Sequence, residues 1–235
     1  MTNSVAIAIS AFHSDEPVID LLRAIFSHPQ PDASCVIVVD SLGSGAIEEA
    51  IDQNEWPVIY ENSQRNLGSA GNLARRIELA EQVGVEWCLC LNHDASWSAS
   101  RMQAMLRVAR SRTRVGAVYP ILDHAPRQPR WEDGRRSFVP SAGSRFERPP
   151  NGDADAEVLW SSSNSALYAT APLREGVRVL EDLWMGYEDL AYGIALRRGG
   201  WLQLMCRDAI LPCVFDYAKR SILGRDVYIH EKPPW

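Results

Sequence analysis

No run in this chain approaches the roughly 20 continuous apolar residues that a helix needs to cross a bilayer, so no transmembrane span is expected. The opening MTNSVAIAISAFHSDEP lacks the basic start and the length of a signal peptide, and its apolar stretch Val5–Ile9 reads as a first strand. The five cysteines include no C-x-x-C pair, which argues against a structural zinc site. Cys88 and Cys90 read as buried thiols on one strand face, and a reduced, cytoplasmic compartment is the natural expectation. Positive charge is in short supply: 24 Lys and Arg against 30 Asp and Glu leave a formal charge of −6, which disfavours nucleic acid as the main partner. Neither a G-x-G-x-x-G after the first strand nor a G-x-x-x-x-G-K-[ST] loop occurs, so the ordinary dinucleotide fingerprint and the P-loop are both missing. Repeats and low-complexity tracts are lacking too.

What is present is a chain of 235 residues, 46% hydrophobic, long enough for one large domain. Short apolar runs at Val5–Ala11, Cys35–Val39, Pro57–Glu61, Trp87–Leu91 and Val115–Tyr119 predict strands. Helical patterns lie between them at 16–27, 46–54, 69–83 and 98–111. Strands and helices alternating in this way predict an α/β fold, with a doubly wound, mostly parallel central sheet and helices on both faces. The runs are apolar rather than alternating, as expected of strands covered on both sides.

Beyond residue 122 the pattern loosens. Residues 123–157 carry Pro, Arg, Gly and acids without a sustained period, and a loop of that length inside a domain is usually functional or disordered. Order resumes near Val158–Trp160, and a helix from Glu188 to Arg198 stops at Gly199-Gly200. The chain thus divides into an α/β half over 1–122, the long loop over 123–157, and a less regular half with a polar tail over 158–235.

In a parallel sheet the C-terminal strand ends share one edge, and ligands bind in the crevice outside it. Here the first strand leads into Ser10, Phe12 and His13, and the second into Asp40 and Ser41. The third leads into NSQRNLGSAGN, and the fourth into Asn92, His93 and Asp94. Turn polarity alone explains any one of these; four together predict a polar rim. Gly68 and Gly71 would let the backbone approach a ligand closely, although Gly-Ser is also an ordinary way to begin a helix. An acidic protein with carboxylates at this rim would hold a diphosphate only with help. Mg²⁺ or Mn²⁺ bridging Asp94 and phosphate oxygens resolves the conflict.

At these residues the sequence resembles glycosyltransferase family 2, with its GT-A fold, and in particular its rhamnosyltransferase and galactofuranosyltransferase-like members. Three blocks carry the likeness, in the family's order and spacing: ENSQRNLGSAGNLARRIELA, CLCLNHDASWSASRMQAMLRVARSRTRVGAVYP with an LNHDA in place of LNPDA, and GYEDLAYGIALRRGGW. The resemblance implies that residues 1–122 form the nucleotide-sugar half and 158–235 the acceptor side. It implies that Asp40 holds the base or ribose beside Ser10, Phe12 and His13. Asn66, Gly68, Gly71 and Asn72 would line the nucleotide-sugar pocket, with Asn92 in place of the motif's first Asp. Asp94 would bind Mg²⁺ or Mn²⁺, Asp189 would be the general base, and Glu188 would stand beside it. Neighbouring helix residues point about 100° apart, so Glu188 and Asp189 cannot both face one target.

Two departures from the family pattern matter. Ala195 and Leu196 stand near where many relatives carry an Arg. LPCVFDYAKRS offers Asp216 where many carry a metal-binding His, so either Asp216 substitutes, His230 folds back, or the metal is weakly held. The implied activity is inverting, metal-assisted transfer of a sugar from a dTDP-, UDP- or GDP-linked donor to a saccharide or lipid-linked saccharide hydroxyl, with peripheral membrane contact left open. Two rivals remain. A catalytically inactive binding subunit would explain the departures. A sugar nucleotidyltransferase would need a basic Gly-rich loop after the first strand, which SAFHSDEP does not supply.

Overall fold

The computed structural model describes residues 5–27, 33–123, 155–212, 217–222 and 225–230. Strands β1 (Val5–Ala11), β2 (Ala33–Asp40), β3 (Val58–Asn62) and β4 (Trp87–Leu91) alternate with helices α1 (Asp15–Phe26), α2 (Ala46–Gln53) and α3 (Gly68–Val83). Helix α4 (Ala99–Arg110) and strand β5 (Val115–Asp123) follow. The second half adds β6 (Ala156–Glu157), β7 (Ala166–Ala169), α5 (Ala171–Arg174), a 3₁₀ turn at Glu181–Leu183, α6 (Glu188–Arg198) and β8 (Leu202–Pro212). Strands β9 (Tyr217–Ile222) and β10 (Arg225–His230) close the order.

Eight strands form one sheet in the order β3-β2-β1-β4-β7-β5-β8-β6. The pairs β3–β2, β2–β1, β1–β4 and β5–β8 are parallel, which matches the expected mostly parallel α/β sheet. Strand β7 departs from that expectation: it is inserted antiparallel between β4 and β5, and the short β6 is antiparallel to β8. The sequence pattern predicts no strand at β7. The segment read as a polar tail, GRDVYIHEKPPW, contains β10, which pairs antiparallel with β9.

Each strand feeds two cores because side chains alternate across the sheet. Val5, Ile7 and Ile9 of β1 pack with α1, α2 and α4 on one face, while Ala6 and Ala8 pack with α3, α5 and α6 on the other. Helix α1 forms because Val18, Leu21, Leu22 and Ile25 recur at helical spacing, giving one apolar face that is buried. Asp15 and Glu16 in its first turn complement the helix dipole. This three-layer arrangement leaves the C-terminal ends of β1, β2 and β4 open at one edge, with the start of α3 beside them.

Leu167 of β7 is fully buried and pairs with both Leu89 of β4 and Val118 of β5. Leu167→Ala should therefore lower unfolding free energy in urea by about 2–5 kcal/mol, the usual cost of a large-to-small core change. A loss below about 1 kcal/mol would contradict the placement of β7 between β4 and β5.

Candidate functional site

Four strand ends deliver residues to one cavity. Ser10 and Phe12 come from the end of β1, Ser41 follows β2, and Asn92 and His93 follow β4. The segment after β3 supplies Asn66, Gly68 and Asn72. Glu188, at the start of α6, faces them, with Met185 and Ser163 completing the wall.

Helix α3 shapes the floor. The Asn66 side chain accepts from the Gly68 N–H at 2.9 Å, which turns the chain into the helix. Gly68 sits at φ +65°, and a Cβ there would collide with the carbonyl of Trp184. That carbonyl accepts from the Ala70 N–H at 3.0 Å, so the Trp184 backbone satisfies one of the exposed donors at the helix start. Asn72 donates to the Val39 carbonyl at 3.0 Å and to Ser41 Oγ at 3.3 Å. One turn later Arg76 donates to the Leu91 carbonyl at 3.1 Å and to the Ala8 carbonyl at 3.4 Å. Arg76 is 2% exposed and lines the cavity. At the end of β4, the Asn92 N–H donates to Asn164 Oδ1 at 3.2 Å, while Ser10 Oγ donates to Asn92 Oδ1 at 3.5 Å.

Of the predicted site residues, Ser10, Phe12, Asn66, Gly68, Asn72, Asn92 and Glu188 line this cavity. Asp40, His13, Gly71, Asp94 and Asp189 do not. Asp40 is 1% exposed at the end of β2 and accepts from Tyr60 Oη at 3.0 Å and the Leu42 N–H at 3.3 Å. Burial pushes its carboxyl above the usual range, and those two hydrogen bonds oppose the shift. His13 is exposed, with its ring centroid 4.4 Å from that of Phe12. Gly71 faces Leu67 and the Glu181 carboxylate instead of the cavity.

The two acids of α6 part company, as the helical 100° step requires. Glu188 is 9% exposed, and its Oε2 has no hydrogen-bond partner among the described residues. Asp189 accepts the Leu190 N–H at 2.8 Å. Burial, then the neighbouring Glu188 charge, pushes its carboxyl up to about 6. Its own charge helps raise the buried Tyr119 and Tyr168 hydroxyls, after burial itself.

The predicted metal ligands are only partly described. Asp94 is exposed just beyond Asn92, whereas Asp216 and the His230 side chain lie outside the described residues. Among the described residues no three His, Cys, Asp or Glu side chains cluster as a metal cage would require. The donor set fits an ion whose shell is completed by substrate phosphates better than one held by protein alone.

The sequence reading missed Arg76. Its signal lay in the α3 pattern, since position 76 falls between Leu73, Ile77 and Ala80 on the buried side.

No family model matches the chain, and no curated protein matches it by sequence. Solved structures do match. The mannosyltransferase PcManGT from Pyrobaculum calidifontis, solved in complex with GDP-Man and Mn²⁺, superposes with a TM-score of 0.63 at 15% identity. That match covers 90% of this chain and 56% of the other. S. aureus TarS 1-349, solved in complex with UDP-GlcNAc, superposes with a TM-score of 0.60 at 13% identity over 88% of this chain and 57% of the other. This chain spans a little over half the length of these proteins. At such identities the likeness establishes architecture: the chain has the GT-A fold of nucleotide-sugar glycosyltransferases. No helix among the described residues is long and apolar enough to cross a membrane.

The raised Asp189 carboxyl has a consequence for stability. Between its unfolded value near 3.8 and its folded value of about 6, the native state binds the extra proton, so stability falls as pH rises through that window. Asp189→Asn removes this effect. The variant should melt higher than the parent above pH 6 and converge with it below pH 4. A melting difference independent of pH, read by calorimetry from pH 4 to 8, would contradict the raised carboxyl of this half-buried residue.

Proposed function

We propose that this chain is an inverting glycosyltransferase that moves a sugar from a dTDP-, UDP- or GDP-linked donor to a hydroxyl of a saccharide or lipid-linked saccharide. The observation that carries this reading is the cavity itself. In a GT-A fold, the ends of β1, β2 and β4 and the start of α3 meet at one hollow, with Glu188 of α6 in its wall and Asp189 next to it on the helix. The sequence blocks around Asn66, Asp94 and Asp189 resemble the rhamnosyltransferase and galactofuranosyltransferase-like group, which supports this reading.

In this reading the donor's nucleotide lies along Ser10–Phe12, Ser41 and Asn66–Asn72, with Asp40 supporting the β2 end from behind. Asp189 takes the proton of the attacking acceptor hydroxyl. Its carboxyl near 6 suits a base at neutral pH, being ionised yet still able to hold a proton. Glu188 lines the donor side of the same wall. Asp94 and the Asn92 amide oxygen would hold Mg²⁺ or Mn²⁺, which when bound would offset charge on the departing diphosphate. Holding donor and acceptor in line supplies much of the acceleration. The free thiols of Cys35, Cys88, Cys90 and Cys206 support a cytoplasmic setting.

The test is a donor panel followed by two isosteric variants. Asp189→Asn should cut transfer by about 10²–10⁴-fold, the usual contribution of a positioned base, while nucleotide affinity stays within about twofold. Full turnover in Asp189→Asn with loss in Glu188→Gln would move the base to Glu188. Asp94→Ala should erase any gain in nucleotide affinity that Mn²⁺ gives. The same gain in that variant would remove Asp94 as a ligand.

A further inference from the structure

We propose that Arg76 is a fixed cation for the donor's diphosphate, giving this chain a component of donor binding that needs no metal. This rests on the reading of the cavity as a donor site.

Arg76 is nearly fully buried on α3, yet it lines the cavity between Asn72, Ser10 and Asn92. Its hydrogen bonds go only to backbone carbonyls: Nη1 to Leu91 and Ala8, and Nε to Asn72 at 3.4 Å. Among the described residues no carboxylate lies within ion-pair distance of it, and its Nη2 makes no hydrogen bond. The preceding residue shows the contrast. Arg75 sets its guanidinium fork on Glu61, with both N–H···O distances at 2.7 Å.

A buried charge is costly unless an opposite charge answers it, so unanswered buried cations are rare outside binding sites. Clamping two strand ends requires only a hydrogen-bond donor. A permanent charge with a spare N–H edge, placed in a cavity wall, adds something that a clamp does not need. Guanidinium offers phosphate a planar pair of donors, and it cannot lose its proton to relieve the burial. The one carboxylate lining the same cavity, Glu188, is not paired with Arg76, and its Oε2 is likewise unpartnered. Cation and anion held apart in one hollow match a ligand that carries both phosphate and hydroxyl groups. In a chain of net charge −6 with Asn92 at the β4 end, Arg76 is a positive charge fixed at the floor of the cavity.

A purely structural role for Arg76 would lower stability on removal and leave the ligand preference untouched. The two roles separate by calorimetric titration of UDP, GDP and dTDP, each beside its parent nucleoside, in EDTA. The wild type should bind its preferred diphosphate at least about tenfold more tightly than the nucleoside, in line with a charge-assisted contact. Arg76→Met should bring the two affinities together and leave that of the nucleoside in place. Should Arg76→Met fail to fold, Arg76→Lys decides: it keeps the charge but loses the fork, so the preference should shrink at constant nucleoside affinity. A folded variant with an unchanged preference would overturn the proposal. So would a wild type that distinguishes diphosphate from nucleoside only when Mn²⁺ is added. If no nucleotide binds with or without Mn²⁺, the donor-site reading itself fails, which is a separate result.

Discussion

The site depends on a row of hydrogen bonds from one face of α3 to three parallel strands. Val39 and Leu91 stand at or next to the ends of β2 and β4, and Ala8 lies three residues before the end of β1. Asn72 meets the Val39 carbonyl, and Arg76 meets those of Ala8 and Leu91. Ala8 and Leu91 belong to adjacent paired strands, so a single guanidinium ties β1 to β4 at the point where their side chains turn toward the cavity. Hydrogen bonds to a charged group are each worth roughly 1.5–3 kcal/mol, and an unmade bond at a buried carbonyl costs a comparable amount. The same contacts that complete the sheet edge also fix Ser10 and Asn92 relative to α3.

The opposite wall is held differently. Glu188 begins α6 directly after Tyr187, which adopts a left-handed backbone with φ +65°, and Trp184 nearby has φ +53°. Residues other than glycine take such angles at a cost of order 1–3 kcal/mol, sustained here by surrounding contacts. One is visible: the Trp184 carbonyl sits on the start of α3, over Gly68, where no side chain would fit. The glycine of the Asn-Leu-Gly turn thus lets the second half of the chain reach the α/β half, and this contact brings the start of α6, with Glu188, to the cavity.

The first half was legible in the sequence because doubly covered parallel strands appear as unbroken apolar runs, and β1 through β5 were found within a few residues. Strand β7 was not, since Ala166–Ala169 is four residues long, rich in alanine and joined by no helical crossover. Its insertion is a tertiary event that local pattern does not record. Polar residues at strand ends were legible for the same reason as the strands, so Ser10, Asn72 and Asn92 could be placed in one cavity. Arg76 was hidden because a charge on a helix usually reads as a solvated face. Helical geometry showed that Glu188 and Asp189 must diverge, but which one meets the cavity follows from the backbone turn at Tyr187. Asp40, expected to hold the base or ribose, does not line the cavity and accepts from Tyr60 and the Leu42 N–H.

Two opposite charges, Arg76 and Glu188, share the cavity without pairing, and three carboxylates expected at the site, Asp40, Asp94 and Asp189, stay out of its wall. The central claim is that this hollow, at the strand edge pinned by α3, receives the diphosphate of a nucleotide sugar. A crystal structure of the protein soaked with a nucleoside diphosphate tests it most directly. The account predicts phosphate density between Ser10, Arg76 and Asn92 with the nucleoside along Ser41 and Asn66. Nucleotide density elsewhere, with this cavity holding only water, would contradict it.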